Sequence, residues 1–83
     1  MQHQVIHQSQ QQRFVIQLSQ TQACLFYRLD TARHEINFYS TFVPEEARGL
    51  GLARRLTEAA LAFARQQQLQ IKADCWYVQK FLN

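Results

Sequence analysis

The chain changes its hydrophobic period between Pro44 and Gly51, and that break limits the folds open to it. Ahead of the break, apolar residues alternate as they do in half-buried strands. Arg13–Ser19 sets Phe14, Ile16 and Leu18 on one face. After a turn at Gln20–Gln22, Ala23–Asp30 sets Ala23, Leu25, Tyr27 and Leu29 on one face, with Cys24 and Phe26 opposite. Thr31–His34 has the polarity of a turn. Glu35–Val43 is rich in the aromatic and β-branched residues that suit a strand. Three strands with links this short predict an antiparallel meander.

Past the break the spacing becomes helical. Leu52, Leu56, Ala59 or Ala60, and Phe63 recur along LARRLTEAALAFARQQQ, a run without glycine, proline, valine or isoleucine. Such a run is strong helix sequence. Pro44, the sole proline, cannot donate to a ladder and fits a strand end. Gln70–Cys75 predicts a fourth strand, which a helical crossover would pair in parallel with the third. The closing WYVQKFLN predicts a short helix, because Tyr77 and Phe81 are four residues apart, with an edge strand as the alternative. The expected fold class is therefore α+β: a three-stranded meander, a long helix, a parallel fourth strand and a short terminal helix. In 83 residues these elements must share one core. That domain is expected over residues 13–83. The glutamine-rich residues 1–12 are expected to be loose and flexible, apart from a short edge pairing at Val5 and Ile6.

The chain has only two glycines, Gly49 and Gly51, and both lie in the break. Glycine permits positive φ and a close approach to the backbone. A turn that opens a helix leaves N–H groups unpaired, and with the helix dipole they form a site for a phosphate or pyrophosphate. Arg48 adds charge there. Arg54 and Arg55 lie where cations oppose the dipole, a placement an anion would relieve. A tight strand-to-helix turn without a ligand is the plainer reading. No Gly-Lys-Ser/Thr follows, so the turn is not a Walker A loop. A third glycine is also lacking, so it is not the dinucleotide fingerprint.

Arg48-Gly49-Leu50-Gly51-Leu52-Ala53 resembles the R-x-x-G-x-G/A coenzyme-binding motif of GNAT-fold N-acetyltransferases. TFVPEEARGLGLARRLTEAALAFAR, followed by Cys75-Trp76-Tyr77-Val78, is similar to a compact subfamily with an H-T-x-V-P segment before the glycine turn and C-x-Y/F-V near the end. The resemblance implies a GNAT-like fold whose third and fourth strands splay. It implies acetyl-CoA as cosubstrate, with pantetheine along the backbone near Phe42 and Val43, the pyrophosphate on the N–H groups of Arg48, Gly49, Leu50, Gly51, Leu52 and Ala53, and Arg54 beside them in the cofactor site. It also implies that Cys75 lies beside the acyl group. Where such relatives carry histidine before Thr41, this chain has Ser40, whose hydroxyl does not titrate near neutral pH. The implied activity is acetyl transfer from acetyl-CoA to an unidentified amine. The amine would attack directly, or Cys75 would first form an acetyl-cysteine. A non-catalytic acyl-CoA-binding module and a small basic nucleic-acid or protein interaction domain are the alternatives.

The formal net charge of +3 and a pI near 9.2 favour an anionic partner without naming one. No aromatic pattern marks an RNA-binding surface, so nucleic acid is the less favoured partner. Cys24 and Cys75 are too far apart in sequence to form a CxxC unit, and Cys24 reads as core. His3 and His7 have i, i+4 spacing but lack further ligands, so no metal site is expected. His34 reads as a turn residue. Glu45 and Glu46 suit the start of a helix or a cationic acceptor. Apolar runs are too short to span a membrane and the opening residues lack the pattern of a secretory leader, so the expected location is the cytoplasm. An exposed edge strand would suit a monomer or a homodimer.

Overall fold

The computed structural model describes residues 4–82. Five strands form one sheet: β1 (Val5–Gln8), β2 (Arg13–Gln17), β3 (Gln22–Asp30), β4 (Glu35–Phe42) and β5 (Gln70–Ala73), in that spatial order. The first four are antiparallel, and β5 pairs in parallel with β4. The long helix α1 (Leu52–Gln66) joins β4 to β5, and the short helix α2 (Trp76–Gln79) follows. The meander, the long helix, the parallel strand and the terminal helix are those expected from the periodicities, and the splay of that strand from its neighbour is the one the resemblance implies. No helix among the described residues is long and apolar enough to cross a membrane.

The segment before Arg13 carries more structure than an edge pairing at Val5 and Ile6. The pairing runs from Val5↔Ile16 to Gln8↔Arg13, and Ser9–Gln11 forms a 3-10 turn. The cause is His7. Its ring stacks on Phe14 at 4.1 Å, meets the edge of Phe63 at 4.5 Å, and its Nε2 lies 2.6 Å from the Tyr27 hydroxyl. Residues 1–3 of that segment lie outside the described residues, His3 among them.

One face of the sheet is covered by α1. Phe14, Ile16, Ala23, Leu25, Tyr27, Ile36 and Phe38 point toward Leu52, Leu56, Ala60, Leu61 and Ala64. Small alanines on α1 let the helix lie close to the strands. Val78 of α2 closes the same core and is fully buried. Cross-strand partners Val15 and Cys24 are also buried, but by alternation they belong to the opposite face.

α1 ends in a Schellman motif. Leu69 N–H donates to Ala64 C=O at 2.9 Å and Gln68 N–H to Arg65 C=O at 3.0 Å. The residue at the left-handed position is Gln68, with φ of 57°, where glycine is usual.

Two irregularities shape the β4 edge. Phe26 faces Ser40 while Tyr27 faces Phe38, so Tyr39 is an extra residue, a β-bulge. The bulge resets the alternation of β4. Ile36 and Phe38 point to α1, and beyond the bulge that face belongs to Thr41, partner of Leu25, not to Ser40. The β4–β5 ladder closes at Phe38↔Ala73, with Cys75 N–H donating to Phe38 C=O at 3.0 Å. Asn37 and Asp74 lock its end: Asn37 Nδ2 donates to Asp74 Oδ2, and Asp74 N–H donates to Asn37 Oδ1, both at 3.0 Å. Past that clamp β5 gives way to α2, and β4 continues to Phe42 paired with β3 only.

Candidate functional site

The turn between β4 and α1 is built for exposed amides. Pro44 ends the strand, Glu45–Ala47 makes a 3-10 turn, and Arg48 is extended. Gly49 and Gly51 then take φ of 88° and 75°, a region that opposes a Cβ. Gly51 is the N-cap of α1 and offers no side chain to its first turn. The first intrahelical bond is from Arg55 N–H to Gly51 C=O, so the amides of Leu52, Ala53 and Arg54 lack an intrahelical acceptor. No acidic residue lies in that turn. The positive end of a 15-residue helix is thus left with Arg54 and Arg55 beside it. Arg54 turns along the helix to Glu58, with Nε 3.1 Å from Oε2. Arg48 Nε donates to Val43 C=O at 3.4 Å, which holds its guanidinium at the strand end.

A cavity of about 230 Å³ opens on this turn, lined by Arg48, Gly49, Gly51, Leu52, Ala53 and Arg54 together with Val43, Ala47 and Tyr77. A second, of about 220 Å³, has Thr41, Cys75 and Trp76 in its wall. The two share Val43, Arg48, Ala53 and Tyr77. They are adjoining parts of one groove, running from the free amides of α1 to the gap where β4 and β5 part.

Cys75 sits at the inner end of that groove, at the N-cap of α2. Its thiol is buried, and Thr41 Oγ1 lies 3.3 Å from Sγ in a hydrogen bond. Burial alone would push the thiol up. The Thr41 hydroxyl and the backbone amides of Val78, Tyr77 and Thr41 oppose this, and the net shift is downward. The sulfur closes no short cap bond, but amides at a helix start favour the thiolate from nearby. Cys24 is the opposite case. Burial pushes its thiol up, with Arg13 offsetting part of the rise.

Most of the expected site residues meet in this groove: Val43, Arg48, Gly49, Gly51, Leu52, Ala53, Arg54 and Cys75. Two side chains stand apart. Leu50 is 58% exposed and faces another hollow with Leu18 and Glu46. Phe42 is 50% exposed and, as partner of Cys24, belongs to the helix-free face. Ser40 is exposed on that same face, away from α1. His34 lies in the β3–β4 turn beside Leu29 and Leu69, where the β4–β5 pairing begins, and His7 is packed under α1. The sequence reading did not single out Thr41 as a contact of Cys75, because the bulge that turns it inward leaves no mark in the hydrophobic pattern. Tyr77, notable in the sequence only for its helical spacing to Phe81, lines both parts of the groove. Trp76 is 67% exposed at its mouth.

Comparison with known proteins agrees with this arrangement. A profile of the GCN5-related N-acetyl-transferase family matches residues 13–83. The chain is 32% identical to Protein NATD1 of Bos taurus over 81 residues, covering 95% of this chain and 71% of that protein. Protein NATD1 of Danio rerio is 33% identical over 81 residues, covering 95% and 73%. Protein NATD1 of Homo sapiens is 31% identical over 81 residues, covering 95% and 71%. The chain belongs to the GCN5-related N-acetyl-transferase family.

Proposed function

We propose that the chain transfers an acetyl group from acetyl-CoA to an amine acceptor. The observation that carries this reading is the continuous groove from the amides of Leu52, Ala53 and Arg54 to Cys75. The amides and the Arg48 guanidinium hold the pyrophosphate, as helix starts hold anions. The β4 backbone beyond Phe38, free of β5, hydrogen-bonds the pantetheine arm near Phe42 and Val43. The thioester then rests beside Cys75 and Thr41.

Transfer requires a held thioester, a neutral amine and donors for the developing oxyanion. A backbone N–H beside the Tyr39 bulge serves as that donor. The amine attacks the carbonyl, a C–N bond forms and the C–S bond breaks. The ammonium formed by the attack gives up its proton, and the hydroxyls of Thr41 and Tyr77, residues that line the groove, relay it to the leaving sulfur. Attack by Cys75 is the two-step version, and its downward-shifted thiol supports it. Calorimetric titration with acetyl-CoA tests the binding site. Saturable one-to-one heat supports the reading, and no heat at high micromolar ligand overturns it.

A second reading is a non-catalytic acyl-CoA-binding module. It is favoured because no histidine among the described residues lines the groove: His7 packs under α1 and His34 lies in the β3–β4 turn. Binding without turnover against any amine distinguishes it.

A further inference from the structure

The chain contains two lysines, and the structure treats them differently. Lys72, on β5, is tied to Glu35 with Nζ 3.4 Å from Oε2. Lys80 follows α2, and its Nζ lies 4.3 Å from the Trp76 ring centroid and 5.5 Å from that of Tyr77. Both rings line the part of the groove that holds Cys75.

This contact sets the direction of the Lys80 side chain. Lys80 lies five positions beyond Cys75 across the four-residue α2, a rise of roughly 7.5 Å. The ammonium folds back along that rise to the residue adjoining Cys75. An aromatic face holds a cation without a carboxylate. Among the described residues no carboxylate pairs with Lys80, whereas the Lys72 nitrogen faces Glu35.

We propose that Lys80 is an acyl acceptor within its own molecule, a self-modification site held over the Trp76 ring that lines the groove. This rests on the reading of the groove as an acetyl-CoA site. The neutral Nζ attacks the thioester carbonyl carbon, a C–N bond forms, and the C–S bond breaks. The coenzyme thiolate leaves and takes up the proton that the nitrogen gives off. The product is acetyl-Lys80, which can no longer act as a cation over Trp76. Tethering raises the local amine concentration far above that of a free acceptor.

The test is incubation of the full chain with acetyl-CoA, followed by intact mass measurement and peptide mapping, with calorimetry on the same sample. The expected result is one acetyl group on Lys80, at a rate per molecule unchanged on dilution. Lys80→Arg abolishes it and Lys72→Arg does not. Trp76→Ala slows it by about two- to fivefold, the loss of an exposed cation–π contact. Three results overturn the proposal: equal labelling of both lysines, equal labelling of the heat-denatured chain, or a rate that falls on dilution. Saturable acetyl-CoA binding with Lys80 unmodified overturns self-acylation and leaves the coenzyme site standing. Absence of binding removes both.

Discussion

Thr41 Oγ1 lies 3.3 Å from Cys75 Sγ, across the gap where β4 and β5 separate. This hydrogen bond joins the strand that borders the groove to the residue at its inner end. It also helps hold the Cys75 thiol below its ordinary range, against the effect of burial. Thr41→Val removes the donor at nearly constant volume, so the Cys75 pKa rises. The measurement is the alkylation rate of Cys75 against pH, read by peptide mapping, with Cys24 as the unreactive buried control. An unchanged profile would show that the backbone amides alone set the thiol.

Gly49→Ala and Gly51→Ala each place a Cβ at positive φ, with nothing within 4 Å for it to strike. The cost is conformational, and each variant loses about 1–2 kcal/mol of unfolding free energy in urea titrations. Substitution at both sites is expected to weaken acetyl-CoA binding as well, because the turn aims the free amides of α1.

Gln68→Gly acts in the other direction. Gln68 holds the left-handed position of the α1 Schellman motif at φ of 57°, which glycine adopts without strain. The variant is expected to gain roughly 1 kcal/mol of stability, read as a higher urea midpoint at constant slope.

His7 gives the fold a dependence on pH. Burial against Phe14 and Phe63 lowers its pKa from the ordinary 6.5, so the folded state resists its protonation. Above 6.5 the ring is neutral in both states and the stability is complete. As pH falls through that value the unfolded chain takes up the proton first, and stability declines until the folded pKa is passed. Urea midpoints between about pH 8 and pH 5 follow this decline, and His7→Phe flattens it. Equal slopes in the two proteins would remove His7 as the cause.

Ser40→His introduces the histidine expected at this position from the H-T-x-V-P resemblance. The site is exposed on the helix-free face, so stability changes by less than about 0.5 kcal/mol. Acetyl-CoA affinity is expected to be unchanged, because the side chain at this position points away from the groove. Calorimetry on the variant checks this, and a large affinity change would place position 40 in the coenzyme site.

Much of the fold is legible in the sequence because period and composition act locally. The alternation of Phe14, Ile16, Leu25 and Tyr27 marks strand faces, and the alanine-rich run from Leu52 marks the helix. The two glycines mark the turn. β1 was harder to see, since His7 counts as polar in any pattern. Its ring becomes a core group only once Phe14, Tyr27 and Phe63 surround it.

By itself the sequence determined the order and type of the main elements from β2 onward, and the place of the glycine turn that opens α1. These depend on neighbours within a few residues, through side-chain alternation, helical spacing and the freedom of glycine at positive φ. Only the tertiary structure decided which residues meet Cys75. One extra residue at Tyr39 turns Thr41 toward α1 and Ser40 away from it, and the Asn37–Asp74 clamp sets where β4 and β5 part. Both are agreements between strands far apart in the chain. A bulge reverses the faces downstream of it without altering a residue, so no local pattern records it.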